Sequence, residues 1–506
     1  MCASARSDTK AAGILRAMRS PAFRGALRTL AIVIATGGAL PATASEPALL
    51  LPPESLWTAQ SEKPVERPHS GGGIAPAREQ RKDYALPALE ILGFDFLLNR
   101  FNHKFSGSHD YDVSAASVRR NLRSSWVIDR DPFSINQFGH PYQGSMYQGF
   151  ARSAGLDFWE SLGYTFLGSV GWEIAGEQTP PSRNDQVASG IGGAFLGEAL
   201  FRMANLVLES GGGIKSPAWR EAAAAIISPS TGFNRVAMGR KDIFDSHNPA
   251  YYSRLSLGFS GAAQSEPGFA TRVRRYEAQA DFALDYGLPG KPGYDYRRPF
   301  DYFSFQATGP SANGIENVMT RGLLIGRGYG ESERFRGLWG LYGSYDYIAP
   351  QLFRVSSTAL SLGTTTQWWA TRSVALQGTA MAGAGYAAVG SAHGTNQTDY
   401  HYGVAPQALL ALRMIFGDKA SLDLTGREYF VSKVAAGNRG GHDNIFRTDL
   451  AFTWRFAKQQ ALTIKYLLSR RDATFPDMAD VKQQRGTFGI YYTLLGQDHF
   501  GAVDWR

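Results

Sequence analysis

The residue types that could carry chemistry are concentrated in one polar segment of the chain. His140 could act as a general base that either Glu173 or Asp185 orients. The hydroxyl of Ser145 or of Ser182 would then be the nucleophile, as in hydrolases that pair a hydroxyl with an imidazole and a carboxylate. The segment therefore contains every part of a hydrolytic site, although no close spacing ties the parts together.

The same residues also fit a structural role. Ser182 and Asp185 have the spacing of a helix N-cap and its partner, and His140 lies in a predicted turn before a proline. Glu198 and Arg202 would pair across one helical turn. We favour this alternative, a buried hydrogen-bond network that locks two helices together. A metal site through His140 and two carboxylates is a weaker hypothesis, and we predict neither a metal nor any other cofactor.

Helical periodicity positions these side chains. We predict two helices, at about 143–176 and 184–209, separated by a Pro-Pro pair that the first helix cannot pass. Glycines in both would let the helices approach each other or a barrel wall closely, at Gly163, Gly168 and Gly171 in the first and at Gly190, Gly193 and Gly197 in the second. The polar residues of this region are Asn136, Gln143, Arg152, Glu160, Glu173, Asn184, Asp185, Glu198 and Arg202.

Several short motifs occur together in this region. They are His140-Pro-Tyr-Gln-Gly-Ser145, Arg152, Phe158-Trp-Glu160, Trp172-Glu173, Pro180-Pro-Ser-x-Asn-Asp185, Gly192-Gly-x-x-x-Gly-Glu198 and Gly232-Phe-Asn-Arg235. In combination they resemble the uncharacterised family called domain of unknown function 3943, found in Gram-negative envelope proteins. The resemblance covers about residues 130–240. It implies an envelope protein with a helical segment and a β-rich C-terminal part, and it implies no activity.

The rest of the chain alternates apolar and polar residues, as amphipathic strands do. Residues 446–456 are the clearest case, with an aromatic face opposite Arg447, Asp449 and Arg455. One apolar and one charged face suit a membrane β-barrel with lipid outside and water inside. We predict about twelve antiparallel strands, at residues 251–260, 272–286, 300–307, 315–327, 335–346, 353–370, 374–389, 400–416, 419–433, 444–456, 459–471 and 484–496.

Charged residues on these strands would line the barrel lumen. Opposed acidic and basic walls could form a selective pore. Alternatively, the charges could be satisfied by one another, by water or by a plug. The predicted lumen residues are Glu277, Asp281, Asp285, Arg427, Arg447, Asp449, Arg455 and Lys465.

The connections between strands indicate how the barrel is oriented. Short turns alternate with predicted long loops near 390–399, 434–443 and 472–483, as in bacterial outer-membrane barrels. The Gly-Pro-rich stretch 287–299 is long where a short turn is expected. With an even number of strands, both ends of the barrel chain face the periplasm. We therefore expect the helical region either to lie beneath the barrel or to plug its lumen.

The N terminus predicts export. A basic stretch precedes a short apolar run and small residues, as in signal peptides. This segment contains six basic residues and one acidic residue, so it supplies five of the net +8 charges, and nucleic-acid binding loses most of its support. The only cysteine, Cys2, also lies there, which excludes thiol chemistry in a mature chain. The predicted regions are a signal peptide at 1–44, a flexible linker at 45–83, an α-helical domain at 84–245 and the barrel at 246–506.

These features predict a Gram-negative outer-membrane β-barrel protein with a helical plug or periplasmic domain and a role in transport or envelope structure. Its partners would be outer-membrane lipid and the outer-membrane assembly machinery, with a small-molecule or lipid ligand unidentified. The alternative is a hydrolase that modifies lipid or lipopolysaccharide and uses the His140 region. No standard catalytic signature appears, so the sequence leans against an enzyme. A soluble periplasmic β-protein is disfavoured by the aromatic outer face.

Overall fold

The computed structural model describes the helical region, the barrel and the C-terminal segment. The predicted signal peptide and nearly all of the predicted linker lie outside the described residues. Residues Gln80–Arg506 form one compact unit. The described residues are 82–209, 216–241, 248–265, 273–312, 314–330, 332–392, 397–432, 441–476 and 478–504.

The N-terminal part of the described chain is helical. A 3-10 turn, His109–Tyr111, lies between the first two helices. Two π-helical turns, Ile135–Gly139 and Ala188–Gly192, run directly into α3 and α6, and such turns are frequent at functional sites. The helices are α1 Ala85–Phe105, α2 Ala115–Asn121, α3 His140–Ser153, α4 Phe158–Ala175, α5 Arg183–Val187, α6 Gly193–Glu209, α7 Ala218–Ile227 and α8 Pro229–Val236.

The single helix predicted at 143–176 is wrong, because the chain breaks between α3 and α4. Gly155 has φ +92°, a left-handed conformation that ends a helix. Asp157 then caps α4, accepting hydrogen bonds from the backbone N–H groups of Trp159 and Glu160. In turn, the Glu160 carboxylate accepts a hydrogen bond from the Asp157 N–H at 2.9 Å, which completes a capping box. The sequence contains this signal as Asp-x-x-Glu.

The C-terminal part of the described chain forms a closed barrel of twelve antiparallel strands. Each strand pairs with its neighbours in the chain, and β1 pairs with β12 to close the sheet. The predicted fold, a membrane β-barrel preceded by helices, is confirmed. The strands are β1 Tyr251–Ser265, β2 Val273–Tyr286, β3 Phe303–Pro310, β4 Asn317–Tyr329, β5 Phe335–Ile348, β6 Phe353–Thr371, β7 Val374–Ser391, β8 Tyr400–Phe416, β9 Ala420–Ser432, β10 His442–Ala457, β11 Gln460–Phe475 and β12 Met478–Leu495.

The two faces of the barrel wall differ as the alternation predicts. On β10, Leu450, Phe452 and Trp454 are exposed on the outer face, whereas Arg447 and Thr453 lie on the opposite face and are buried inside the barrel. Exposed Leu, Ile, Phe and Tyr side chains continue this apolar outer face across β11, β12 and β1. Inside the barrel, a ladder of hydroxyl hydrogen bonds crosses the same four strands at Thr453, Thr463, Thr493 and Ser256.

The predicted long loop at 472–483 is wrong. β11 continues to Phe475 and β12 begins at Met478, so only residues 476–477 connect them. Alternate residues of these strand ends point into the lumen, where Arg471 forms an ion pair with Asp443 at 2.6 Å and donates to Gln483 Oε1. Polar composition therefore indicates a buried charged face here and not a loop.

The C-terminal segment closes one end of the lumen, at the end where β1 begins and β12 ends. The Val503 carbonyl accepts hydrogen bonds from Gln367 Nε2 at 2.7 Å and from Trp369 Nε1 at 3.0 Å. The Gly501 carbonyl accepts a third from Gln377 Nε2 at 2.7 Å. Phe500 is fully buried among inward-facing apolar side chains. This segment takes the place that the sequence assigns to a helical plug.

Apolar side chains fill the other end of the lumen. They come from inward-facing positions of strands β5 to β10 and from the β5–β6 connection. Ile348, Phe353, Val389, Val431 and Ile445 are all buried in this group. The lumen is therefore occupied at both ends by the barrel's own residues.

The helical segment packs against the outer wall of the barrel. Trp339, Tyr345 and Tyr347 share the outward face of β5, yet Trp339 is 47 % exposed and Tyr345 is 0 % exposed. The helices cover the two tyrosines, and the Tyr345 hydroxyl donates to the Gln137 carbonyl at 2.6 Å. Phe195 of α6 packs on Gly343 of the same face. The predicted position beneath the barrel or in the lumen is wrong, because outward apolar residues look alike in sequence whether lipid or protein covers them.

We expect Gly343→Val to weaken the attachment of the helices. A Cβ at Gly343 would lie 2.5 Å from the ring of Phe195, in a packed interface. Overpacking of this kind costs about 1–3 kcal/mol. The measurement is the free energy of unfolding of the refolded protein in detergent micelles.

Gly426→Val is the matched control, since a Cβ at Gly426 on the outer face of β9 would meet nothing within 4 Å. Equal losses of stability in the two variants would contradict the outer-wall position of the helices.

Candidate functional site

Three of the predicted residues meet in one buried cluster, which we call the acid–histidine centre. His140 begins α3, Glu173 lies near the end of α4, and Asp185 lies in α5. Their ligand-capable atoms all lie within 4.8 Å of one another. The distance from His140 Nε2 to Asp185 Oδ2 is 3.9 Å. All three residues are at most 5 % exposed.

Local structure explains why these three side chains converge. Ser182 caps α5 as its spacing predicts, its hydroxyl accepting from the Asp185 N–H at 3.2 Å. Glu173 accepts from the Ser182 N–H at 2.7 Å, which ties the end of α4 to the start of α5. The turn predicted at His140 is wrong, because this residue is helical at φ −61° and ψ −47°. Pro141 occupies the first turn of α3, where proline needs no backbone donor.

Amide and tyrosine side chains connect this centre to the barrel. Asn184 Nδ2 donates to Asp129 Oδ1 at 2.7 Å, to Asp185 Oδ1 at 3.0 Å and to the Tyr402 hydroxyl at 2.8 Å. Asn136 Nδ2 donates to Asp129 Oδ1 at 2.5 Å and to the Tyr400 hydroxyl at 3.0 Å. The tyrosines belong to the outer face of β8. Asp129 and both tyrosines were missed from the sequence, because nothing local links them to the helical motifs.

The electrostatics of this region are set by clustered, buried carboxyl groups. Burial raises the pKa of Asp129 to about 7, and the charge of nearby Asp185 acts in the same direction. Burial also raises the pKa values of Asp131 and Glu177. Within the described part of the chain, no lysine or arginine forms an ion pair with Asp129, Glu173 or Asp185. The negative charge of the centre is therefore matched by no fixed cationic side chain there.

The serine that meets the histidine is not the one predicted. Ser145 donates to the Tyr142 carbonyl at 2.6 Å. Ser189 Oγ instead lies 3.2 Å from His140 Nδ1. It follows Asp185 by four residues, so one helical face presents both, which is the signal that the sequence offers. Ser189 is also buried, so solvent does not reach the acid–histidine centre or this serine in this conformation.

A second buried centre surrounds Glu198. Its carboxylate accepts from Arg152 Nε at 2.8 Å and from Arg202 Nε at 2.9 Å, so the predicted Glu198–Arg202 pair forms. Arg202 also reaches Asp301 at 3.2 Å and the Pro299 carbonyl at 2.7 Å. Both acceptors lie in the connection between β2 and β3. This ion-pair network fastens α3 and α6 to the barrel, and breaking one partner of such a network is costly.

The remaining polar residues of the predicted cluster lie elsewhere. Gln143 Nε2 donates to the Tyr147 hydroxyl at 2.5 Å, inside the bundle. Glu160 lies at the surface, where it caps α4 and pairs with Lys82 at 2.8 Å. The predicted cluster therefore divides into two buried centres and two local contacts.

The predicted lumen residues lie on the inner face of the barrel, and most form ion pairs across it. Strong pairs also involve Arg413 with Asp423 at 2.5 Å and Arg321 with Asp346 at 2.6 Å, which the sequence did not single out. Between the closed ends lies a cavity of about 140 Å³, which is bordered by Asp285, Arg427 and Asp449 of the predicted set and by Arg321, Arg413 and Asp423. The pairs of the predicted residues are Glu277–Arg485, Asp281–Lys465, Asp285–Arg413, Arg427–Asp449, Arg447–Glu316 and Arg455–Asp418.

A larger space lies outside the barrel, between α6, α7 and the outer faces of β1 to β4. We call it the wall groove. It has a volume of about 700 Å³ and a mainly apolar lining. Phe138 and Tyr142 border it on either side of His140. Its other principal lining residues are Leu196, Leu200, Met203, Phe282, Leu284 and Phe305.

Comparison with family models confirms the resemblance stated above. Residues 125–230 match the family described as "Domain of unknown function (DUF3943)". The match starts before α3 and ends at α8, so it includes both buried centres. No curated protein matches the chain.

Comparison with solved structures finds bacterial barrels. An outer membrane channel from Pseudomonas putida F1 is 10 % identical, with a TM-score of 0.27, over 50 % of this chain and 98 % of that one. The NanC porin is 10 % identical, with a TM-score of 0.24, over 47 % and 98 %. The channel DcaP of Acinetobacter baumannii is 9 % identical, with a TM-score of 0.22, over 48 % and 98 %. Such distant likenesses assign no function.

We expect Tyr402→Phe to destabilise the junction between the acid–histidine centre and the barrel. Its hydroxyl accepts from Asn184 Nδ2 at 2.8 Å and from Gln137 Nε2 at 3.0 Å, and these donors are buried. Leaving a buried polar group unsatisfied costs about 1–3 kcal/mol. Unfolding of the protein in micelles measures the loss.

Tyr466→Phe is the control for this substitution, because Tyr466 is exposed on the outer face of β11. If both variants unfold like the original protein, the junction does not depend on the tyrosine hydroxyl.

Proposed function

We propose that this chain is a Gram-negative outer-membrane β-barrel protein that binds a membrane lipid between its helices and its barrel wall. The observation that carries the proposal is the wall groove, because it opens on the side of the barrel that faces the bilayer. Its volume of about 700 Å³ lies within the usual range for small-molecule sites. Its apolar lining suits an acyl chain.

The groove is continuous with the lipid-facing surface of the barrel. Tyr251 and Ser253 of β1 border the groove. Leu255, Leu257 and Phe259 follow on the same outward face and are exposed. A lipid chain in the bilayer can therefore move along this strand face into the groove without crossing a polar barrier.

The helices cover the height of the barrel. Arg202 binds Asp301 near the end of the barrel where β3 begins. At the opposite end, the Tyr400 hydroxyl donates to the Asp131 carbonyl at 2.6 Å. The segment thus occupies part of the barrel's bilayer-facing surface, and this position replaces the periplasmic domain of the sequence prediction.

The outer surface of the helical segment supports this placement. On α1, six large apolar side chains are 58–67 % exposed. Among the described residues, the helical run Arg183–Glu209 is long and apolar enough to cross a membrane, and 78 % of its most apolar window is buried against the protein. The exposed residues of α1 are Leu89, Leu92, Phe96, Leu97, Phe101 and Phe105.

We expect the purified protein to retain bound lipid, and we expect variants whose groove is filled by a larger side chain to lose it. Leu200→Trp and Met203→Trp place bulk where the acyl chain would lie. After extraction of outer membranes in mild detergent, mass spectrometry of the lipid in the purified sample should show at least about a fivefold loss per chain, equivalent to about 1 kcal/mol of binding.

Leu450→Trp, on the exposed face of β10, controls for the added indole and should retain lipid. Equal lipid in all variants, or none specifically held by the original protein, would contradict the proposal.

Transport is the second candidate function, and the charged cavity of about 140 Å³ in the lumen favours it. Conduction would require both ends of the lumen to open: the C-terminal segment would leave one end, and the apolar side chains at the other end would move apart. We expect deletion of residues 498–506 to raise the conductance of the barrel in planar bilayers, since it removes the carbonyls that Gln367 and Gln377 bind. The double variant Gln367→Ala/Gln377→Ala should have a smaller effect in the same direction. Unchanged conductance after the deletion would show that the C-terminal segment does not limit conduction.

A further inference from the structure

We infer that the acid–histidine centre is a binding site for one divalent transition-metal ion, Zn²⁺ or Mn²⁺. His140, Glu173 and Asp185 would supply the primary ligands. Asp129 lies beside this set, where its Oδ1 accepts hydrogen bonds from Asn184 Nδ2 at 2.7 Å and from Asn136 Nδ2 at 2.5 Å. This inference is independent of lipid binding in the wall groove.

The geometry of the three side chains fits a shared ion. Ligand atoms at about 2.0–2.2 Å from a metal lie no more than about 4.4 Å apart. The ligand-capable atoms of His140, Glu173 and Asp185 lie within 4.8 Å of one another, and the His140–Asp185 distance is 3.9 Å. Small side-chain adjustments therefore suffice to bring all three to one ion. An imidazole combined with carboxylates favours a transition metal, whereas oxygen ligands alone suit Mg²⁺ or Ca²⁺.

The carboxyl groups of the centre lack a lysine or arginine partner. Glu173 and Asp185 are buried and Asp129 beside them is partly buried, and the described residues provide no lysine or arginine ion pair to any of them. Ionised carboxylates in such a place are stable only with protons or with a cation. The three arginines that are buried in the same bundle bind other carboxylates: Arg152 and Arg202 pair with Glu198, and Arg235 pairs with Glu221.

An amide oxygen without a hydrogen-bond donor belongs to a residue that contacts Asp129 beside the centre. Asn136 is 0 % exposed, and its Nδ2 donates to Asp129 and to Tyr400. Among the described residues, no donor reaches Asn136 Oδ1. Leaving such an acceptor unsatisfied in the interior is costly, and a cation would satisfy it. This observation is independent of the distances within the three-residue set.

The histidine is held in an orientation that suits a ligand. Ser189 Oγ lies 3.2 Å from His140 Nδ1, so the hydroxyl can accept from that ring nitrogen when it is protonated. The lone pair of Nε2 then points toward Asp185. Metal-binding histidines are commonly oriented by such a partner on the other ring nitrogen. Each member of this pair is next to or within a π-helical turn: Ile135–Gly139 directly precedes His140, and Ala188–Gly192 contains Ser189.

Metal binding by the full chain in detergent micelles tests this inference. The protein is washed with chelator, and Zn²⁺ or Mn²⁺ is titrated by equilibrium dialysis with elemental analysis. We expect one ion per chain. His140→Gln, Glu173→Gln and Asp185→Asn should each weaken binding by at least about 100-fold, since even supporting residues are worth 10–100-fold. Co²⁺ should give the visible absorption spectrum of a site with a nitrogen ligand, and His140→Gln should change that spectrum.

Asp95→Asn is the matched control. Asp95 accepts a hydrogen bond from the Tyr147 hydroxyl in the same bundle, away from the centre. This variant should bind the metal like the original protein, and far-ultraviolet circular dichroism establishes that each variant is folded. Absence of stoichiometric Zn²⁺ and Mn²⁺ binding by the folded original protein would overturn the inference. Binding that survives in all three ligand variants would also overturn it, as would selective binding of Ca²⁺ or Mg²⁺.

Discussion

The arrangement of this molecule depends on the need to satisfy tyrosine hydroxyls on the outer wall of the barrel. Tyr345, Tyr400 and Tyr402 point to the side that elsewhere faces lipid, and a hydroxyl left in hydrocarbon without a partner is costly. The helical segment supplies the partners, among them the Gln137 carbonyl and the amide of Asn184. These bonds fix the segment on one part of the wall, where aromatic packing completes the contact. They also bring the acid–histidine centre against the barrel.

The barrel's own side chains and the C-terminal segment fill the lumen and leave no room for the helices. Acidic and basic side chains pair across the lumen, the C-terminal segment closes one end, and apolar residues fill the other. The charges that resemble a pore lining in sequence are therefore bound mainly to each other. The acid–histidine centre, whose carboxyl groups pair with no lysine or arginine among the described residues, and the apolar wall groove both lie outside the wall. The proposed functions follow from this division between inside and outside.

The strands could be predicted because each has one lipid-facing or protein-facing apolar side, and this repeats every second residue. The position of the helices could not, since Phe303 under the helices and Phe452 toward lipid have the same pattern. For the same reason, polar lumen residues near Arg471 were mistaken for a loop. His140 and Asp185 could be selected by residue type. Tyr402, which accepts a hydrogen bond from the neighbouring Asn184, lies 218 residues further along the chain, and no local signal records that contact.

The π-helical turn Ile135–Gly139 joins the two outer-wall features through five residues. Asn136 extends from this turn to Asp129 in the acid–histidine centre. Phe138, two residues later, borders the wall groove. π turns are rare, occur mostly as single turns within α-helices and are frequent at functional sites. Because Asn136 and Phe138 lie in the same turn, a displacement of Phe138 would also move the backbone that positions Asn136. The turn therefore gives the wall groove a direct backbone connection to the buried centre.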